Sequence, residues 1–513
     1  MTQQSQSVYS SIQALAKSQP DALALRFHGR DSLTYAGLMD AIQTVQDTLH
    51  AAGLGRNDRI AVVHTNGPEM ALLVMGILSC ACCAPLNQKY TATEFEFYLA
   101  DLNVKAVVVR AGLKSPIFEV CARLNIPIIE LAANTQEPIG TLNFNFTKAT
   151  TPAAAESPRA QDTALILHTS GTTSRPKIVP LTQFNLLCGA QNVVTSLRLT
   201  PQDSCLNVMP LFHIHGLMSA LLAPMISGGS VICTPGFAED PFFTAQFFPW
   251  MIALKPTWYT AVPTMHQAII GNAVRYPDIA TQSPLRFLRS ASASLAPQVM
   301  AKLEDLFQAP VLEAYGMTEA THLMSSNPLP PAEHKAKSVG LAAGPEVEIM
   351  DTNGQILAVG KTGEIVIRGP NVMRAYENNE AANATAFYGE WFRTGDEGVM
   401  DEERYLYLTG RLKEMINRGG EKLSPREIDE VLMDHPAVLQ AVAFAAPHPT
   451  LGEVPAAAIV LREGFEVDAK TLQAFAAERL VAFKIPNPIV FVTEIPKGPT
   501  GKLQRIGLAE KLL

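Results

Sequence analysis

Three observations predict an α/β fold, with parallel sheets in a large N-terminal region and a smaller α+β region at the C-terminal end. Extended apolar runs alternate with amphipathic segments through most of the chain, a pattern in which crossover helices force the strands to lie parallel. From Gly340 to Leu408 the character shifts to short strands with Gly turns, as in Gly363-Glu364-Ile365-Val366-Ile367-Arg368-Gly369, which is expected of a small β-barrel-like module. At 513 residues, 47% apolar and 17% charged, the chain exceeds one ordinary core and predicts two or more packed domains rather than disorder.

Residues 11–50 read as helix, strand and helix, and Arg59-Ile60-Ala61-Val62-Val63 and Ala106-Val107-Val108-Val109 as strands separated by amphipathic segments. Met70 to Leu86 carries almost no polar group and touches the lower limit, about 17 residues, of a membrane span. Gly76 and Pro85 interrupt it, and Glu69 and Asn87-Gln88-Lys89 bound it without a basic flank, so a buried helix followed by a buried strand is expected instead of a span. Ala149 to Gln161, rich in Ala, Thr and Pro, reads as a surface linker, and Ala164-Leu165-Ile166-Leu167 as a buried strand after it. Beyond Gly410-Arg411-Leu412-Lys413 a compact α+β pattern runs to a loop containing Lys502. The expected organisation is a domain over 1–410, a connection at 411–413 and a second domain over 414–513, with no internal repeat.

A net charge of −8 argues against nucleic acid as a partner, since backbone phosphates need a clustered basic surface. Seven scattered cysteines, three of them in Cys80-Ala81-Cys82-Cys83, lack zinc spacing and read as reduced core thiols. The start Met-Thr-Gln-Gln-Ser-Gln-Ser lacks the basic and apolar parts of a signal peptide, and Glu510-Lys511-Leu512-Leu513 is no recognised address, so the cytoplasm is the expected location.

The densest chemistry lies in His168-Thr169-Ser170-Gly171-Thr172-Thr173-Ser174-Arg175-Pro176-Lys177. Behind a buried strand it offers flexible backbone amides, five hydroxyls and the cations Arg175 and Lys177, a donor set that suits a polyphosphate. It is not a Walker A loop, because no glycine precedes Lys177, and Gly498-Pro499-Thr500-Gly501-Lys502 does not complete that pattern either. Alone, such a loop is more often a solvated turn.

Its company decides. The loop, Tyr315-Gly316-Met317-Thr318-Glu319, Tyr405-Leu406-Tyr407-Leu408-Thr409-Gly410-Arg411, Arg418-Gly419-Gly420-Glu421-Lys422 and Pro496-Lys497-Gly498-Pro499-Thr500-Gly501-Lys502 resemble, in order, the motifs of the adenylate-forming superfamily. That family comprises acyl-CoA synthetases, luciferases and peptide-synthetase adenylation domains, and the resemblance covers essentially the whole chain. It implies a small mobile C-terminal domain and a two-step ligase. An acid attacks the α-phosphate of ATP to give an acyl-adenylate and pyrophosphate, and the thiol of coenzyme A then displaces AMP. By the family's motifs, Lys502 would bridge the acid and the α-phosphate, Thr318 would donate to the phosphate, and Glu319 would hold Mg²⁺ against it. Thr169, Ser170, Gly171, Thr172, Thr173 and Lys177 would bind the phosphates. Ser292, Ala293, Ser294, Glu313, Ala314 and Tyr315 would flank the adenine, and Asp396 with Arg411 the ribose. Lys413 matches the hinge, and Arg418, Gly419 and Gly420 would line the coenzyme A path. Two departures stand out: Ser174 where glycine is usual and Ser292-Ala293-Ser294 in place of the usual Gly-Ala-Ala or Gly-Ala-Pro segment.

The same resemblance places Pro210-Leu211-Phe212-His213-Ile214-His215-Gly216 and the residues after Glu319 on the acyl pocket wall. His213 belongs to the ordinary Phe-His motif, whereas His215, His322 and Ser292 bring polarity that suits no lipid tail, because a polar group left unpaired in a dry pocket costs roughly 1–3 kcal/mol. They suit a second carboxylate, beside which a histidine could take up a proton from solvent and form charge-assisted bonds. Each histidine is also compatible with a structural role, and a His-x-His with one distant partner is no metal ligand set. Within the superfamily, blocks such as Trp258-Tyr259-Thr260-Ala261-Val262-Pro263-Thr264, Ser290-Ala291-Ser292-Ala293-Ser294-Leu295 and Thr318-Glu319-Ala320-Thr321-His322-Leu323-Met324 resemble the oxalate–CoA ligase group. The expected reaction is therefore formation of oxalyl-CoA from oxalate, ATP and coenzyme A by a monomer or homodimer with no membrane span. Ligation of another short or aromatic acid is the alternative, and amino-acid activation or non-catalytic nucleotide binding stand behind it.

Overall fold

The computed structural model describes residues 7–132, 136–169, 176–236, 245–496 and 505–513. Ser170, Gly171, Thr172, Thr173 and Lys502 lie outside the described residues. The chain divides into two compact units, one of Met1–His168, Ile178–Glu346 and Arg368–Asn383, the other of Thr169–Lys177, Val347–Ile367 and Ala384–Leu513.

The first unit is built on two mixed sheets. One runs, edge to edge, through Phe144–Asn145, Ile128–Leu131, Ala106–Arg110, Arg59–Val63, Cys82–Pro85, Thr163–Thr169 and Lys177–Thr182. Its central pairs are parallel, as the alternation of strand and helix requires. The other runs through Leu341–Ala342, His322–Ser326, Val311–Met317, Phe287–Ser290, Trp258–Ala261, Ser204–Asn207, Ser230–Cys233, Leu23–Arg26 and Leu33–Thr34. Its middle is parallel, while His322–Ser326 folds back antiparallel on Val311–Met317.

Residues 11–50 form a helix, two short strands and a helix; the first helix, Val8–Ser18, begins earlier than the periodicity indicates because Ser7 and Ser10 cap it reciprocally. The apolar stretch is the helix Pro68–Leu78, buried at every position but Glu69, followed by the buried strand Cys82–Pro85. A helix apolar all round belongs inside a protein core, and among the described residues no helix is long and apolar enough to cross a membrane. All seven cysteines are free and buried, and burial pushes thiols such as Cys80 and Cys82 up to about 12.

In the second unit the short strands form a sheet ordered Glu346–Met350, Gly363–Arg368, Trp391–Met400 and Phe387–Tyr388, with Leu406–Arg411 also paired to Trp391–Met400. The C-terminal sheet centres on the long hairpin Val438–His448 and Gly452–Leu461. Strand residues alternate between its faces: Ala441 and Ala443 join Ile428, Leu432 and Leu472 of the helices Pro425–Met433 and Ala469–Ala477, while Val442, Phe444 and Ala446 pack with Ile495 and Leu508. Both faces are thus covered, which is why this strand reads as a nearly continuous apolar run.

Candidate functional site

Parallel strands deliver side chains to the carboxyl edge of a sheet, where ligands of open α/β sheets bind. Trp258–Ala261, Phe287–Ser290 and Val311–Met317 lie side by side, and Thr260 is the register partner of Arg289. Both side chains are fully buried. Next to them the one-turn helix Ile214–Leu217 carries His215 and runs into the π-helical turn Met218–Leu222, which carries Ser219.

These elements bring together the three acyl-pocket residues read from the sequence. His215 Nδ1 is 3.1 Å from Ser292 Oγ, its Nε2 is 2.7 Å from Thr260 Oγ1, and its ring stacks on His322 with centroids 4.9 Å apart. Three contributors went unread: Thr260, Ser219 and above all Arg289. Arg289 Nη1 donates to His322 Nε2 at 3.0 Å and to Ser219 Oγ at 3.0 Å. Its Nε and Nη2 are buried without a partner among the described residues. Burial pushes this guanidinium down to about 9, which still leaves it cationic at neutral pH. The signal was present, since Arg289 is a charge inside an otherwise apolar strand sequence, Phe287-Leu288-Arg289.

This geometry bears on the tautomer of His322. A guanidinium has no lone pair to offer, so His322 Nε2 must accept, which makes that imidazole neutral with its proton on Nδ1. Arg289 brings a cation to the cluster.

The residues expected around the adenine lie close by. Glu313, buried in Val311–Met317, accepts from the amide of Leu295 at 3.0 Å and so holds the Ser292-Ala293-Ser294 segment against the strand bearing Ala314 and Tyr315. Ser292 takes a positive φ of 73°. At Gly316 a Cβ would stand 1.5 Å from the carbonyl oxygen of His322, so only glycine lets the two antiparallel strands close here. Thr318 and Glu319 follow in the short turn Thr318–Ala320. The Glu319 carboxylate is buried and accepts from Tyr376 Oη at 2.8 Å; burial beside that carboxylate raises the phenol's pKa and keeps it a donor. No group of three or more His, Cys, Asp and Glu capable of holding a metal is found among the described residues. One buried carboxylate fits a Mg²⁺ ion held mainly by phosphate and water oxygens rather than by a protein cage.

Thr169 ends one strand, its hydroxyl buried without a partner among the described residues, and Lys177 begins the next. In the second unit, Asp396 and Arg411 are register partners, with Arg411 Nε donating to Asp396 Oδ1 at 2.9 Å. Lys413 is exposed beyond that strand. Arg418 pairs with Glu421 across a two-residue turn in which Gly419 and Gly420 have φ of 58° and 97°, the left-handed pair that tight hairpins require.

A family model described as AMP-binding enzyme matches residues 12–377, and the AMP-binding enzyme C-terminal domain matches 427–502. The chain is 44% identical to the probable CoA ligase CCL9 of Humulus lupulus, covering 96% of this chain and 94% of that protein. It is 43% identical to an oxalate–CoA ligase of Arabidopsis thaliana over 98% of both. The structure of O-succinylbenzoate coenzyme A synthetase (MenE) from Bacillus subtilis, in complex with ATP and magnesium ion, superposes with a TM-score of 0.84 at 27% identity, covering 98% of this chain and 99% of that one. With family models spanning both of its parts and near full-length relatives, the chain belongs to the AMP-binding enzyme family.

Proposed function

We propose that the protein is an AMP-forming acid–CoA ligase that joins oxalate to coenzyme A. The observation that carries the choice of acid is the buried Arg289 guanidinium, with two nitrogens, Nε and Nη2, lacking partners among the described residues and set beside His322, His215 and Ser292. A buried cation with open donors is costly unless an anion meets it. The second carboxylate of a small diacid supplies that anion. The Arabidopsis relative's activity on oxalate supports the same choice.

In the first half-reaction one oxalate oxygen forms a bond to the α-phosphorus as the bond to pyrophosphate breaks. Lys502 and Thr318 stabilise the charge that builds on the phosphate oxygens, while Arg289 and the two imidazoles hold the far carboxylate. Glu319 would hold Mg²⁺, which would supply neutralisation of phosphate charge. Thr169, Ser170, Gly171, Thr172, Thr173 and Lys177 grip the phosphates, Ser292 to Ser294 and Glu313 to Tyr315 flank the base, and Asp396 with Arg411 holds the ribose. In the second, the sulfur of coenzyme A bonds to the carbonyl carbon and AMP leaves, after the domain over 414–513 has turned about Lys413 and brought Arg418, Gly419 and Gly420 to the thiol path.

The test is AMP release dependent on coenzyme A, with Mg-ATP, across oxalate, malonate, acetate, a medium-chain fatty acid and 4-coumarate. Selective turnover of oxalate supports the assignment; preference for a monocarboxylate leaves the ligase and removes the substrate.

A further inference from the structure

The turn Thr318–Ala320 that carries Glu319 is followed by two residues of positive φ, Thr321 at 51° and His322 at 86°. Side-chain-bearing residues adopt that region rarely, and two in succession need support from outside the turn. One segment supplies it. Asn371, fully buried, donates Nδ2 to Ala320 O at 2.7 Å and Leu323 O at 3.2 Å, and its backbone carbonyl accepts from Thr321 Oγ1 at 2.6 Å. The amide of Met373 donates to Glu319 O at 2.7 Å. Tyr376 Oη donates to Glu319 Oε1 at 2.8 Å.

The segment is itself anchored at both ends. Asn185, on the helix Gln183–Ser196, donates to Pro370 O at 2.8 Å, and Asn383 exchanges two bonds of 2.8 Å with the backbone of Tyr376. Residues 370–376 therefore form a strap across the turn, and the bond from Tyr376 reaches the Glu319 carboxylate itself.

We propose that Tyr376 is a positioning residue for the Glu319 carboxylate: by holding one carboxylate oxygen it presents Glu319 in a fixed orientation to the divalent cation that accompanies ATP. Hydrogen bonds to the outer side of a ligating carboxylate set its orientation and so the affinity of the metal. The inference rests on the reading of Glu319 as the magnesium-binding carboxylate.

Tyr376→Phe removes the hydroxyl and keeps the ring. The test measures Mn²⁺ affinity of the enzyme–ATP complex, from the resonance signal of free Mn²⁺, for the wild type, Y376F, E319Q and the double variant, with thermal unfolding of each. Y376F is expected to weaken Mn²⁺ binding roughly 10–100-fold, with an unchanged melting point and an unchanged KM for the acid. E319Q should weaken it as well, and the double variant no further than E319Q, because Tyr376 acts through Glu319. Wild-type Mn²⁺ affinity in Y376F alongside weak binding in E319Q overturns the inference alone. Wild-type affinity in E319Q overturns the Glu319 reading and this inference with it. A fall in melting point together with weaker binding of metal-free ATP in Y376F also overturns the inference, since it marks a structural role only.

Discussion

Replacing Arg289 with Met tests the proposed substrate site most directly, because binding should fall while stability stays nearly unchanged. The arginine is fully buried, and its Nε and Nη2 have no partner among the described residues. If the second carboxylate of oxalate accepts from both, two bonds to charged groups at about 1.5–3 kcal/mol each are lost, or about 3–6 kcal/mol together. At 1.4 kcal/mol per decade this lowers kcat/KM for oxalate by roughly 10²–10⁴-fold. Stability should not follow. Methionine fills most of the volume and removes two unsatisfied donors, worth about 1–3 kcal/mol each, which offsets the bonds lost to Ser219 and His322. ATP–pyrophosphate exchange at varied oxalate, with thermal unfolding in parallel, reads both quantities. A kcat/KM within about threefold of wild type, some 0.7 kcal/mol, would show that no anion is bound through Arg289. An equal loss for acetate and oxalate would refute it too, since acetate has no second carboxylate.

Other outcomes follow from the same geometry. His322→Ala removes the ring stacked on His215 and the acceptor of Arg289, and should raise the KM for oxalate strongly while leaving that for ATP unchanged; steady-state kinetics at saturating ATP decide it. Asp396→Ala should raise the KM for ATP by about 10–100-fold, the worth of a hydrogen bond to a charged group, without altering acid preference. Lys413→Pro should abolish thioester formation and retain much of adenylation, measured as separate half-reactions; equal loss in both would remove the hinge assignment. Arg505 donates to Asp429 Oδ2 at 2.7 Å and to Glu414 Oε2 at 3.1 Å. Arg505→Met should therefore cost about 3–5 kcal/mol in denaturant unfolding, because Asp429 is left buried and unpaired, whereas Arg505→Met with Asp429→Asn should recover much of it.

Much of the fold was legible because its signals are local. The buried helix Pro68–Leu78 and the strand after it follow from an apolar run broken by proline and glycine. The pairing of Asp396 with Arg411 was foreshadowed by two motifs, although only an antiparallel register places them opposite each other. The meeting of His215, Ser292 and His322 was inferred through family resemblance, not through spacing, and the structure brings them within contact.

The sequence by itself determined the element types, the order of the motifs and the membership of a family, since periodicity, turn chemistry and motif order are properties of neighbouring residues. The tertiary structure alone decided where the charge of Arg289 sits and what it meets. Arg289 is just one cation in a strand until the parallel register sets it beside Thr260 and the folded-back strand brings His322 to its Nη1. Whether a histidine is a cation or a neutral acceptor depends on the partner it meets across many residues of chain, and that partner exists only once the sheet has formed.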